Sequence, residues 1–338
     1  MTGRGIDQIL PCPGSPVLHE RHIQDARRYV DLAEAAHGSI RRPVDFAYIW
    51  GDSLEQLERV APDARIVNLE TSVTSSEDAW PDKEVHYRMH PQNLRAITAA
   101  AIDCCCLANN HIMDWGYAGL DETLRALDAA GIRHAGAGPT MAEAMTPAIL
   151  HIPGKGRVLL FSVGSTTSGI PDEWAASATR AGVNLLPDLS VSTARTIGRQ
   201  VRLHRRAGDV IVISIHWGSN WGYAVPDSHV RFASRLLHGE VDIVHGHSSH
   251  HPRPIHIING KLALFGCGEC INDYEGIGGY EAFRGDLVLM YCPTIDPDTG
   301  TLARLRIRPM QIRRMQLTHA SESDARWLEE RLARISQV

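Results

Sequence analysis

No run in this sequence of 338 residues approaches the roughly 20 apolar residues that a bilayer span needs. The first ten residues, Met1 to Leu10, are polar and glycine-bearing and lack the apolar core of a secretion signal. The expectation for the chain as written is a cytoplasmic protein with no membrane span. Positive charge is also short: 34 Lys and Arg stand against 39 Asp and Glu, a net −5. With no basic excess to neutralise phosphates, nucleic-acid binding is excluded. The local pairs Arg205-Arg206 and Arg313-Arg314 read as solvated surface.

A disulfide framework is missing too. The seven cysteines are odd in number, and Cys104, Cys105 and Cys106 are consecutive in an apolar run that reads as a buried strand. That placement suits reduced, packed thiols. Cys267 and Cys270 form a C-x-x-C pair. They lack the helix start or second pair that a redox or zinc motif wants, so the reading is structural. There is no internal repeat, low-complexity tract or long linker.

What is present is an α/β pattern. The length suits one large domain or two smaller ones, and 43% hydrophobic with 22% charged residues is ordinary for a globular chain. Short apolar runs alternate with helical stretches. The buried-strand candidates are Ala64–Leu69, Asp103–Ala108, Val158–Val163, Val210–His216 and Asp242–His245. The later runs Ile255–Ile258, Lys261–Gly266 and Asp286–Cys292 lie close together with short turns and read as antiparallel. Helices are expected where apolar residues recur at three and four: Leu120, Leu124 and Leu127; Ile197 and Val201; Val230, Ala233 and Leu237. From Ser321 a Ser-x-x-Asp cap opens a C-terminal helix carrying Leu328, Leu332 and Ile335. Pro171 to Pro187, rich in small residues, is the expected long surface loop.

Polar residues fall in a telling place. Ala64–Leu69 ends in Glu70, Asp103–Ala108 runs into Asn109-Asn110-His111, Val210–Ile215 into His216, and Asp242–His245 into Gly246-His247-Ser248-Ser249-His250. Ligands of open α/β sheets bind beyond the carboxyl ends of the strands. Four strands delivering such groups there would build one site from distant sequence. Imidazole nitrogens with carboxylate and amide oxygens make mixed sites for zinc, manganese or iron. A lone His after a strand is more often structural, but Gly-His-Ser-Ser-His aims two imidazoles from one short loop, after a glycine that lets the backbone turn.

Taken in order, Asn68-Leu69-Glu70-Thr71, Ala108-Asn109-Asn110-His111 with Asp114 and Gly116, Ile215-His216-Trp217-Gly218, and Gly246-His247-Ser248-Ser249-His250 resemble the motif series of the CapA (poly-γ-glutamate capsule synthesis) family. The fold of that family is similar to calcineurin-like metallophosphatases. The resemblance implies an α/β, metallophosphatase-like layered β-sandwich flanked by helices over residues 1–293. Residues 294–338 would add a β-hairpin and helix to the same domain. It also implies one or two divalent ions (Mn, Fe or Zn) held by Glu70, Asn110, His216, His247 and His250. His111 would be the catalytic imidazole and Asp114 its orienting partner, while Arg4 and Asn109 would contact substrate.

This sequence departs from the family in three places. The paired-histidine loop has two intervening residues, where ordinary metallophosphatases usually have one. The family's opening strand, ending in Gly-Asp, is not seen, and Met1 to Asp7 resembles the stretch that follows it. Gly51-Asp52 is no substitute, because it reads as a helix start capped by Asp52. Glu269, Asn272 and Asp273 stand where relatives carry an apolar run, and they read as ordinary loop residues. The implied function is a metal-dependent hydrolase of a phosphoester or a γ-glutamyl amide, acting on a small molecule or capsule polymer. The alternative is a non-catalytic polymer synthesis or export component with a structural metal.

Overall fold

The computed structural model describes residues 1–337. Three parallel strands, β1 (Ile66–Asn68), β2 (Cys104–Cys106) and β3 (Arg133–Ala135), form one sheet in that order. A larger sheet holds β4 (Ala148–Ile152), β5 (Gly156–Gly164), β6 (Asp209–His216), β7 (Ile243–His247), β8 (Ile255–Ile258) and β9 (Lys261–Leu264). Its order is β8-β9-β7-β6-β5-β4, with β5, β6, β7 and β9 parallel and the two edge strands antiparallel. The third sheet, β10 (Leu287–Ile295), β11 (Leu302–Arg313) and β12 (Gln316–His319), is antiparallel. The principal helices are α1 (Arg27–His37), α2 (Gly116–Ala129), α3 (Val191–His204), α4 (Asp227–Leu237) and α5 (Glu322–Ile335).

Strand alternation divides the core into layers. In β6, Ile211, Ile213 and Ile215 pack with Ile197 and Val201 of α3 and Phe232, Ala233 and Leu236 of α4. Val212 points the other way, into a cluster with Ile243, Leu160, Cys104 and Cys106. The consecutive cysteines split in the same manner, with Cys105 facing the core that contains α2 and Leu69. The result is helix, sheet, sheet, helix. It is an α/β fold whose inner layer lies between two sheets. Emptying one fully buried position, as in Ile213→Ala, would cost about 2–5 kcal/mol.

The sequence boundary at residue 293 falls inside β10, so the C-terminal strands continue a sheet already begun. Met310, Ile312, Met315 and Leu317 enter the largest core cluster. The capping pattern at Ser321 is realised: its Oγ accepts the Asp324 N–H at 3.1 Å.

Three expectations need correction. Residues 171–187 are not a free surface loop: Trp174 and Val183 are fully buried, and Gly182–Val183 pairs with Ala137–Gly138. The local composition of small residues hid these two anchors. Of the late strands, β8 and β9 pair antiparallel as expected, but β10 does not join them and belongs to another sheet. Asp52 does precede the helix Ser53–Val60, but its carboxylate accepts the His319 N–H at 2.9 Å rather than capping that helix. All seven cysteines are free, as expected. Among the described residues no helix is long and apolar enough to cross a membrane.

Candidate functional site at the strand ends

Alternation also decides where the histidines point. In β6, Ser214 and His216 share the inner face with Val212. In β7, His245 and His247 share it with Ile243. The register pairs Ser214 with His245 and His216 with His247. Four polar side chains thus form a two-by-two patch at the carboxyl end of the inter-sheet layer. Glu70 follows β1 and Asn110 follows β2, so the opposite sheet delivers its groups to the same mouth. His216 Nε2 lies 3.0 Å from Asn110 Oδ1 and 3.8 Å from Glu70 Oε1. His216 Nδ1 meets His247 Nδ1 at 2.7 Å. His247 Nε2 is 2.7 Å from Ser214 Oγ, which is 3.0 Å from His245 Nδ1.

The proton positions follow from these contacts. Burial holds both His216 and His247 far below the usual imidazole range, so both rings are neutral. Asn110 Oδ1 only accepts, so His216 donates from Nε2 and accepts at Nδ1 from His247. His247 Nε2 then accepts the Ser214 hydroxyl proton, and Ser214 accepts from His245. Burial likewise brings His245 down to about 4.

The remaining groups pair with acids. His250 Nδ1 bonds Glu269, whose other oxygen accepts from Asn272. Burial disfavours the charge on His250, but Glu269 outweighs it and raises the ring's pKa. Glu70 is pushed up to about 7, first by burial; His250 opposes the shift, and Asn68 Nδ2 donates to Glu70 Oε2 at 2.7 Å. His111 Nδ1 donates to Asp114 Oδ2 at 2.7 Å, and the Tyr87 N–H donates to the same oxygen at 2.6 Å. Burial brings His111 down to about 4 despite Asp114. Burial would raise the Asp114 carboxyl, but His111 and Lys83 together hold it below the carboxylate range. Lys83 Nζ is 3.0 Å from Asp114 Oδ1.

The two residues expected to contact substrate are occupied elsewhere. Arg4 is 5% exposed and is clamped by Asp273 at 2.6 Å and Glu20 at 2.9 Å, under the ring of Tyr29. Asn109 is fully buried; it donates to Asn68 Oδ1 and Leu69 O and accepts the His111 N–H. Both brace the loops that present the site. Glu269 and Asp273, read as ordinary loop residues, turn out to be the partners of His250 and Arg4. Lys83 carries no signal in the sequence. Ser214 does carry one, since it is two residues before His216 on the same strand face.

The donor chemistry fits a divalent cation: two neutral imidazoles, an amide oxygen, and a mostly buried carboxylate whose pKa desolvation raises. The arrangement is pairwise. Among the described residues no three His, Cys, Asp or Glu side chains converge as a ready metal cluster. Each candidate ligand instead holds a hydrogen bond to a neighbour. Ser248, between the two loop histidines, has φ +109°, a strained value for a residue with a Cβ, and its hydroxyl donates to Gly218 O at 3.0 Å.

Fold and site together define an α/β protein that gathers histidine, amide and carboxylate groups at the carboxyl mouth between two sheets. Comparison with known proteins narrows this. The chain belongs to the family described as bacterial capsule synthesis protein PGA_cap, whose model matches residues 1–274. It is 47% identical over 338 residues to a probable polyglutamine synthesis accessory protein of Mycobacterium tuberculosis, covering all of this chain and 89% of that one. It is 22% identical over 225 residues to the PGA biosynthesis protein CapA of Bacillus subtilis, covering 66% of this chain and 56% of that protein. The capsule biosynthesis protein CapA of Bacillus anthracis matches at 21% over 192 residues, with 57% and 45% covered.

Proposed function

We propose that this chain is a metal-dependent hydrolase serving the synthesis of poly-γ-glutamate or a related capsule polymer. The observation that carries the chemistry is the buried His111–Asp114 pair, immediately beside Asn110 at a mouth lined by neutral imidazoles. The names of the relatives support the polymer. Glu70, Asn110, His216, His247 and His250 would hold one or two ions, Mn, Fe or Zn. Such an ion, when bound, lowers the pKa of its water and polarises the scissile bond.

The chain's own groups do the rest. Asp114 holds the Nδ1 proton of His111, which fixes the tautomer and leaves Nε2 as an acceptor with no hydrogen-bond partner among the described residues. With its pKa near 4, His111 at neutral pH accepts a proton before it can give one. It therefore takes a proton from the attacking water and returns it to the leaving group. Lys83 keeps Asp114 ionised through that cycle. The Ser214–His245 relay orients His247. The test is turnover of a chromogenic phosphodiester and of a γ-glutamyl amide, with and without added Mn, Fe or Zn. Metal-dependent release from either substrate supports the hydrolase and identifies the bond. Absence of turnover with metal bound favours the non-catalytic synthesis component, a reading consistent with the fully hydrogen-bonded state of the candidate ligands.

A further inference from the structure

The outer face of the larger sheet carries a feature the strand-end site does not use. A groove of ≈ 590 Å³ runs along α3 to the end of α4. Its walls bear Arg195, Arg199, Arg202, Arg235 and His238, and its one acid is Glu240. Four arginines against one glutamate give a local +3 on a chain whose net charge is −5. Arg195, Arg199 and Arg202 stand at i, i+4 and i+7, one face of the helix, with steps of about 6 and 4.5 Å along its axis. Glu240 pairs with Arg202 at 3.0 Å and with Arg205 at 3.4 Å. Arg195, Arg199 and Arg235 are exposed and have no carboxylate partner among the described residues. The floor, including Ala194 and Leu236, is apolar.

We propose that this groove binds an extended polycarboxylate, a polymer with one carboxylate per repeat lying along the arginine ladder. The proposal rests on the polymer link drawn above, but not on the metal or the hydrolysis. A ladder of guanidinium groups suits repeated carboxylates, since each planar fork can take a carboxylate bidentately. An apolar floor suits the methylene segments between them. A single small anion would need neither the length nor the floor. The Arg202–Glu240 end lies at the amino end of β6, whose first residue Asp209 is seven residues before His216 and thus roughly 23 Å away at a strand's rise. The groove would hold the polymer as a tether, apart from any chemistry at the strand ends.

The test uses fluorescein-labelled poly-γ-glutamate and the full chain in an anisotropy titration at low salt. Wild type should bind, binding should weaken steeply with salt, and neutral polyglutamine should not compete. Arg195→Gln, Arg199→Gln and Arg235→Gln combined should weaken binding by about tenfold or more. These three arginines have no carboxylate partner to strand, so the variant should melt as wild type does. A His247→Ala variant should bind the polymer normally. Unchanged affinity in the triple variant, equal binding of polyglutamine, or no polymer binding by wild type would overturn the proposal. So would an arginine-dependent association with an acidic protein while polymer binding stayed intact, which would assign the groove to a protein partner. Metal uptake and phosphodiester turnover of the triple variant report separately on the strand-end site.

Discussion

The two ends of the larger sheet treat buried polar groups in opposite ways. At the amino end, every acid is matched. Asp209 holds Arg157 by two bonds, at 2.9 and 2.5 Å, and accepts the Arg206 N–H. Asp242, fully buried, accepts from Lys261 Nζ at 2.8 Å and from the Ile211 N–H at 2.9 Å. At the carboxyl end, a few residues along the same strands, His216 and His247 are neutral and share one proton, and across the mouth, after β1 of the smaller sheet, desolvation lifts the Glu70 carboxyl to about 7. The sheet pairs charge with charge at one end, while at the other its imidazoles are neutral and face, across the mouth, an acid shifted toward neutrality. Such a mismatch between the two ends is expected where stability gives way to a working site.

That contrast can be broken or sharpened by substitution. The largest effect should be on turnover. His111→Ala should lower it by about 10²–10⁴-fold while leaving the metal content of the folded fraction near wild type, whereas His247→Ala should lose the metal. Equal metal loss in both variants would remove the role given to His111. Next, Asp242→Ala strands the Lys261 ammonium, which is 7% exposed. It should cost about 3–5 kcal/mol in urea unfolding without changing the metal affinity of the folded fraction. A cost below about 1 kcal/mol would mean that the amino end is not held by its ion pairs.

The smallest effect concerns pH. The Glu70 carboxyl moves from an ordinary 4.5 to about 7 on folding, so the folded state binds its proton more tightly. With metal absent, this group costs nothing below about pH 4.5. Stability should then fall as pH rises toward 7 and level off above, by about 3 kcal/mol in all. Glu70→Gln should flatten that slope and make the metal-free protein the more stable of the two at pH 8. An unchanged slope would place the mismatch elsewhere.

Much of this architecture could be read before any coordinates. Val210–His216 and Asp242–His245 announce themselves as buried strands, and a strand's period of two already sets Ser214 beside His216 on one face. The motif series brought Glu70, Asn110, His216 and His247 to one mouth, because open sheets collect ligands at the carboxyl ends of their strands. What escaped was long-range pairing. Lys83 meets Asp114, Glu269 meets His250, and Asp273 meets Arg4 across separations that no local pattern encodes. The internal hydrogen bonds of Arg4 and Asn109 were hidden for a related reason. Position in a motif says which loop a side chain belongs to, but only packing shows whether it faces the mouth or braces the loop behind it. Trp174 and Val183 likewise anchor a stretch whose composition suggested a free loop.

The central claim is that the carboxyl mouth is a cation site. The direct measurement is metal content and affinity of the full chain purified without chelator, by elemental analysis and calorimetric titration with Mn, Fe and Zn. The account predicts one or two equivalents bound, with binding abolished in His247→Ala and unaffected in Asp242→Asn. No metal on the purified chain and no uptake on titration would contradict it, and would leave the strand-end histidines as a hydrogen-bonded structural cluster.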